Sequence, residues 1–278
     1  MPRFAANVTL MYTEVPFLER FAAAAADGFE AVEFLFPYDH AVQDIAARLH
    51  EHHLVPVLLN APPGDMQAGE RGLACLPGRE AQFRDAFEYQ ALRYAVELGC
   101  SRIHVMSGVV PGHATSPLGA TALAPYREVL VDNLRWAARL AQPHGVTVLI
   151  EPLNPRDFPG YFLRTQAQAH ELVMETGAHN TKVQMDLYHC QITEGDLSMR
   201  LREYLPTGRV GHIQFAGVPG RHEPDHGEVA FSWLFQLIDD LGYEGFVSAE
   251  YRPLAGTSAG LRWLRQALNS QTPTPRLS

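Results

Sequence analysis

Lysine and arginine never run beyond two in succession in this 278-residue chain, and the formal net charge is −9. A nucleic-acid binder needs a basic footprint to neutralise phosphates, so that class of partner is set aside. Long apolar runs are missing as well. Segments such as Val146-Thr147-Val148-Leu149-Ile150 fall far short of the ~20 residues a membrane-spanning helix needs, so no membrane partner is expected. Cysteine is scarce: Cys75, Cys100 and Cys190 share no metal-type spacing and leave an odd count. Neither a disulfide framework nor a thiolate zinc site is indicated. Met1-Pro2-Arg3-Phe4 lacks the apolar segment and cleavage site of a signal peptide, and the expected location is cytoplasmic. No Gly-x-Gly-x-x-Gly turn follows the first apolar run, which weighs against an open, doubly wound dinucleotide fold.

What is present is ordinary globular material, 46% hydrophobic and 19% charged, in a length that suits one α/β barrel. Short β-branched or apolar runs alternate with longer amphipathic segments. The expected strands are 4–12, 31–36, 55–61, 102–107, 147–153, 181–189, 209–216 and 245–251. Between them lie helical patterns, such as Phe83, Phe87, Ala91, Tyr94 and Leu98 on one face, or Phe231, Leu234, Phe235, Ile238 and Leu241 on another. Gly28, Gly99, Gly145, Gly177 and Gly242 stand where a helix must stop before the next strand. Eight strand–helix units argue for an α/β fold of the (β/α)8 TIM-barrel type, a single domain over 1–268 with a disordered tail at 269–278. Three long loops rich in Gly and Pro (62–78, 108–125 and 217–228) follow strands and would gather at one face, where they could close over a ligand.

In such a barrel, polar residues at strand C-termini read as functional. Four successive strands end in Glu151, Asp186, Gln214 and Glu250. Three carboxylates so close need a cation or protons to neutralise them. An all-oxygen set suits a hard divalent ion such as Mg²⁺ or Mn²⁺. Such an ion, bound by a carbonyl and a neighbouring hydroxyl, stabilises an enediolate, while one glutamate removes a C–H proton and the other returns a proton to the adjacent carbon. That is aldose–ketose isomerisation. The acidic balance also means that an anionic substrate must be held by a few local arginines.

The segments Glu151-Pro152-Leu153-Asn154, Gln184 to His189, His212 to Gly217, Ala249 to Pro253 and Gly220 to Asp225 resemble the hydroxypyruvate isomerase family of xylose-isomerase-like barrels. Arg3 to Asn7, Ala31 to Tyr38 and Pro77-Gly78-Arg79-Glu80 are similar too. Met1 to Asn7 and His104 to Pro111 look closest to its 2-oxo-tetronate isomerase branch. The resemblance implies that Glu151 and Glu250 are the proton-transfer pair and also metal ligands, with Asp186 and Gln214 completing the metal sphere. The implied substrate is a small anionic sugar acid, hydroxypyruvate or 2-oxo-tetronate. Related sugar epimerases carry histidine where this chain has Gln214.

Beside these, Arg221 could fork onto a substrate carboxylate, against a plain surface ion pair with Glu223 or Asp225. Arg252 is a second cation. His189 could donate to a substrate hydroxyl, and Asn60, Glu33 and His104 could line the pocket; a structural role competes for each. Lys182 opens a strand and so belongs at the wrong end. Two other readings stay in play: a ketose 3-epimerase using the same glutamates, and a sugar-acid binding protein without turnover. Assembly into a homo-oligomer through the outer helices is not decided by any sequence feature.

Overall fold

Residues 1–116 and 118–269 are described by a computed structural model. Apolar stretches bounded by turn residues form eight parallel strands: β1 (Arg3–Asn7), β2 (Ala31–Phe34), β3 (Val55–Asn60), β4 (Arg102–His104), β5 (Thr147–Ile150), β6 (Thr181–Asp186), β7 (Val210–Phe215) and β8 (Phe246–Ala249). They close in chain order, β8 pairing back onto β1. Around them run α1 (Arg20–Ala26), α2 (Val42–Glu51), α3 (Glu80–Ala86), α4 (Arg93–Leu98), α5 (Ala120–Ala141), α6 (Gln166–Thr176), α7 (Leu187–Thr193), α8 (Leu197–Tyr204), α9 (Phe231–Asp240), α10 (Thr257–Gly260) and α11 (Arg262–Asn269). A π-helical stretch, Phe87–Leu92, joins α3 to α4 into one long helix. The glycines expected to stop helices, Gly28, Gly99, Gly145, Gly177 and Gly242, all have positive φ. The expected tail lies, beyond Asn269, outside the described residues.

Alternation along each strand sorts side chains into two environments. Outward residues meet the helices. Phe4 of β1 and Phe215 of β7 each pack edge-on against Phe235 of α9 at 4.9 Å and against Trp263 of α11 at 5.3 and 5.2 Å. Burying each such ring is worth roughly 1.5–3 kcal/mol, so this seam is a main fastening of the last helices. Inward residues fill the barrel in layers. Ala5, Ala31, Val57 and Phe246 form a small apolar plug. Toward the C-terminal ends of the strands, Asn7 of β1 pairs in register with Glu33 of β2, and Asp186 of β6 with Gln214 of β7. The interior therefore turns from apolar to polar toward the strand C-termini.

Several expected bounds need correction: strand one ends at Asn7 rather than Tyr12, strand four at His104 rather than Ser107, and strand five at Ile150 rather than Leu153. Strand six does not run to His189: Asp186 accepts a 2.7 Å hydrogen bond from the Tyr188 amide and caps α7, so the chain turns helical at Leu187. The long loops are also stitched down by isolated bridges, Gly72 to Ser107, Val109 to Tyr161 and Gly217 to His222. α5 already begins at Ala120, inside the stretch expected to be loop.

Candidate active site

The strand ends converge on a cavity of about 190 Å³ whose lining includes Glu151, Glu250, His104, His189, Asn60 and Arg221. That is below the roughly 300–1,000 Å³ of drug-sized sites, so it suits a very small ligand. A larger hollow of about 390 Å³ lies at the opposite end of the barrel. Arg102 and Lys182, the only lysine in the sequence, line it, and no carboxylate of the strand ends reaches it. Strand polarity favours the smaller cavity as the place for chemistry.

Glu151, immediately after β5, is 4% exposed; its Oε1 has no hydrogen-bond partner among the described residues and its Oε2 is 3.6 Å from His104 Nδ1. Burial pushes its carboxyl well above the ordinary range, and the charges of Glu250 and Asp186 push the same way. Glu250, after β8, accepts at Oε1 from Asn7 Nδ2 (3.1 Å) and pairs at Oε2 with Arg221 Nη2 (2.6 Å). Burial raises its pKa to about 8 although Arg221 pulls it down. Asp186 is raised to about 6 by burial, again against Arg221, whose Nη2 is 3.6 Å from Oδ2. That Oδ2 has no hydrogen-bond partner among the described residues. Arg221 itself is stacked over the Tyr188 ring at 5.0 Å. Burial alone would lower its pKa, but Glu250, Asp186 and Glu151 raise it, so the guanidinium is a fixed charge.

Gln214 is placed differently from its carboxylate neighbours. Its Nε2 donates to Glu33 Oε1 (2.7 Å) and its Oε1 accepts from Gln184 Nε2 (2.5 Å). Glu33 lies beneath the cavity rather than on its wall, where it also accepts from Asn7 Nδ2 (2.9 Å) and meets His212 Nε2 (2.7 Å). His212, Gln214 and Ser248 hold its carboxyl below the usual range in spite of complete burial. Asn7 thus joins the polar floor to Glu250.

Could these residues hold a metal? Glu151, Asp186 and His189 each offer an atom within 4.8 Å of the others. Two of those atoms belong to carboxylates with an orphaned, buried oxygen, which suits a hard cation. His189 fits less well. Its Nδ1 accepts the Asn154 backbone N–H at 3.1 Å, so the neutral ring carries its proton on Nε2 and faces the cavity as a donor. Burial keeps it neutral, its pKa lowered well below the ordinary value. Glu250 is already engaged by Asn7 and Arg221, and both amide atoms of Gln214 are taken, by Gln184 and Glu33.

His104, at the end of β4, is buried with neither ring nitrogen hydrogen-bonded among the described residues, and burial lowers its pKa to about 3. Asn60 ends β3 with a buried Oδ1 that has no hydrogen-bond partner among the described residues. Arg252 lines the cavity although it is exposed. Sequence reasoning missed Asn154, which sets the His189 tautomer, the bridging role of Asn7, and Arg71, a loop residue on the cavity wall. Only the position of Asn7 at a strand end carried a signal.

Among the described residues no helix is long and apolar enough to cross a membrane. A family model described as a xylose isomerase-like TIM barrel matches residues 21–267. The 2-oxo-tetronate isomerase of Cupriavidus necator is 55% identical over 268 residues, 96% of this chain and 99% of its own. The hydroxypyruvate isomerase of Escherichia coli is 41% identical over 265 residues, 95% of this chain and 98% of its own. A crystal structure from Brucella melitensis, described as an AP endonuclease of family 2, is 47% identical with a TM-score of 0.90, covering 96% of this chain and 99% of that one.

Proposed function

The chain belongs to the hydroxypyruvate isomerase family of xylose isomerase-like TIM barrels, and from that membership we propose that it isomerises a short hydroxy-keto acid, hydroxypyruvate or 2-oxo-tetronate. The observation that carries the reading is the pair of buried glutamates, Glu151 and Glu250, on one small cavity beside a fixed guanidinium.

In the direction from hydroxypyruvate, one glutamate takes a proton from C3 and leaves an enediolate across C2 and C3. The other delivers a proton to C2, and the hydroxyl proton on O3 passes to O2, which leaves an aldehyde at C3 and a hydroxyl at C2. General acid–base transfer of this kind is worth about 10²–10⁴-fold. Arg221 balances the negative charge as it moves between Glu250, Asp186 and the substrate. The Nε2–H of His189 donates to a substrate oxygen. Asn7 holds Glu250 in place from below. Glu151, Asp186, Gln214 and Glu250 would hold a divalent ion, Mg²⁺ or Mn²⁺, which when bound supplies a Lewis acid for the carbonyl and hydroxyl oxygens. Three free, buried cysteines suit a reducing compartment, and the cytosol is the proposed location. Nucleic acid is not the proposed partner: the charge is −9 and the cavity histidines His104 and His189 are buried and neutral.

The test is incubation with hydroxypyruvate and Mn²⁺ or Mg²⁺ in D₂O, followed by NMR, with Glu250→Gln as blank. Deuterium at C3 together with an aldehyde signal is expected. If no exchange exceeds the blank and 2-oxo-tetronate is equally inert, the isomerase reading falls and the epimerase and binder readings rise.

A further inference from the structure

Three arginines line the cavity: Arg71, Arg221 and Arg252. Their charges are not equally available. Arg221 is already spent on Glu250 and Asp186 at 2.6 and 3.6 Å. Arg252 is exposed and has no ion pair among the described residues. Arg71, half-buried on the loop between β3 and α3, is the unusual one.

Among the described residues its guanidinium hydrogen-bonds only to backbone carbonyls: Nη1 donates to the oxygens of Met66 (3.0 Å) and Glu70 (2.6 Å). The carboxylate next to it in sequence is turned away. Glu70 is held by Arg79 at 2.6 and 3.3 Å and by the Asp65 amide at 2.6 Å. Arg71 therefore has no anionic partner among the described residues, yet it stands on a wall shared with Leu10, Leu35, Phe36, Met66 and Met106. A half-buried guanidinium beside apolar side chains, with no counter-ion of its own, is left open to pair with an incoming anion. A guanidinium is the group best matched to a carboxylate fork.

The loop also presents it rigidly. Gly72 has φ 110, and a Cβ there would sit 2.3 Å from the Met106 carbonyl oxygen. Its amide donates to Pro63 (2.8 Å), it bridges Ser107, and the Cys75 amide donates to the Ser107 carbonyl (2.8 Å). The loop is sewn to the end of β4, so Arg71 is held in place before any ligand arrives.

We propose that Arg71 is the carboxylate subsite of this cavity and so selects anionic keto acids over neutral ketoses, an inference that rests on the isomerase reading for the fate of the rest of the molecule. With C1 held there, three- and four-carbon acids place the same C2–C3 bond between Glu151 and Glu250. They differ only beyond C3, so one site serves both lengths.

The experiment uses the full chain and the variants Arg71→Met, Arg71→Lys and Arg252→Met, each first checked for an unchanged melting curve. Kinetics are measured with hydroxypyruvate and with dihydroxyacetone, which carries CH₂OH in place of the carboxylate. Calorimetry follows D-glycerate, an unreactive acid of the same length. Arg71→Met is expected to raise KM for hydroxypyruvate about ten- to hundredfold with little change in kcat, the loss expected for a charge-assisted hydrogen bond. Glycerate should weaken in step, dihydroxyacetone should be unaffected, and Arg71→Lys should recover part of the loss. Equal losses for acid and neutral ketose, or a loss confined to Arg252→Met, would overturn the assignment. If the wild type turns over no keto acid while glycerate binding still depends on Arg71, the subsite stands and the isomerase reading alone fails.

Discussion

Arg221 reaches Glu250 at 2.6 Å from a residue whose own backbone is left-handed, with φ 56. A non-glycine residue in that region carries a conformational cost of about 1–3 kcal/mol, here set against a buried ion pair. Removing the cation leaves Glu250 and Asp186 buried beside Glu151 with no opposite charge.

Arg221→Met, in chelator, is therefore expected to lose about 3–5 kcal/mol of stability near neutral pH. The orphaned carboxyls would relieve the strain by staying protonated, so their folded pKa values would lie further above the unfolded ones. A raised carboxyl pKa makes the folded state bind more protons, and stability then falls as pH rises. The deficit against wild type should be larger at pH 8 than at pH 5.5 in urea titrations. An equal deficit at both would argue for lost packing instead.

The orphaned oxygens of Glu151 and Asp186 make a prediction about cations. Mn²⁺ at about 100 times its Kd should stabilise the fold by about 2.7 kcal/mol, several degrees in melting temperature for a chain of this size. Asp186→Asn should abolish most of that shift. A shift of the same size in the variant would move the ion elsewhere on the protein.

Gly72→Ala tests the stitched loop. The added methyl would meet the Met106 carbonyl, and the φ of 110 is unsuited to alanine, so a loss of about 1–3 kcal/mol is expected. Because the same turn carries Arg71, hydroxypyruvate turnover at low substrate should fall more than the melting temperature suggests. Full activity with a normal melting curve would show that the loop tolerates the methyl.

His170 lies far from the cavity, stacked on Tyr204 at 4.0 Å and accepting from Arg209 Nε at 3.3 Å. Burial lowers its pKa to about 4, with the Arg209 charge adding to the effect. A lowered folded pKa means the unfolded state binds the proton more readily. Its contribution is complete above about pH 6.5 and is lost as pH falls toward 4, on the order of 2 kcal/mol. His170→Phe should flatten that part of the stability curve. A slope identical to wild type would place the acid sensitivity in other groups.

The eight strands were legible because a buried β-branched run between two amphipathic helices has few other readings, and Glu151 and Glu250 stood out as charges just past such runs. The overrun at strand six has a local cause. Leu187, Tyr188 and His189 continue the apolar pattern of the strand, and only the Asp186 side chain, bonded to the Tyr188 amide, turns them into a helix. Orientation was harder. The direction of the Gln214 amide is set by Glu33 and Gln184 from two other strands, and the proton on His189 by the Asn154 backbone. Neither pairing has a sequence period. Arg71 was hidden for the same reason: loops carry no alternation, and its freedom depends on Arg79 having taken Glu70.

Lys182 supplies the one ε-amino group in the chain, and it sits on the rim opposite the cavity. Amine-reactive chemistry directed at lysine has a single address, on the face that handles no substrate. A support or label attached there would leave every molecule with its cavity pointing toward the solution.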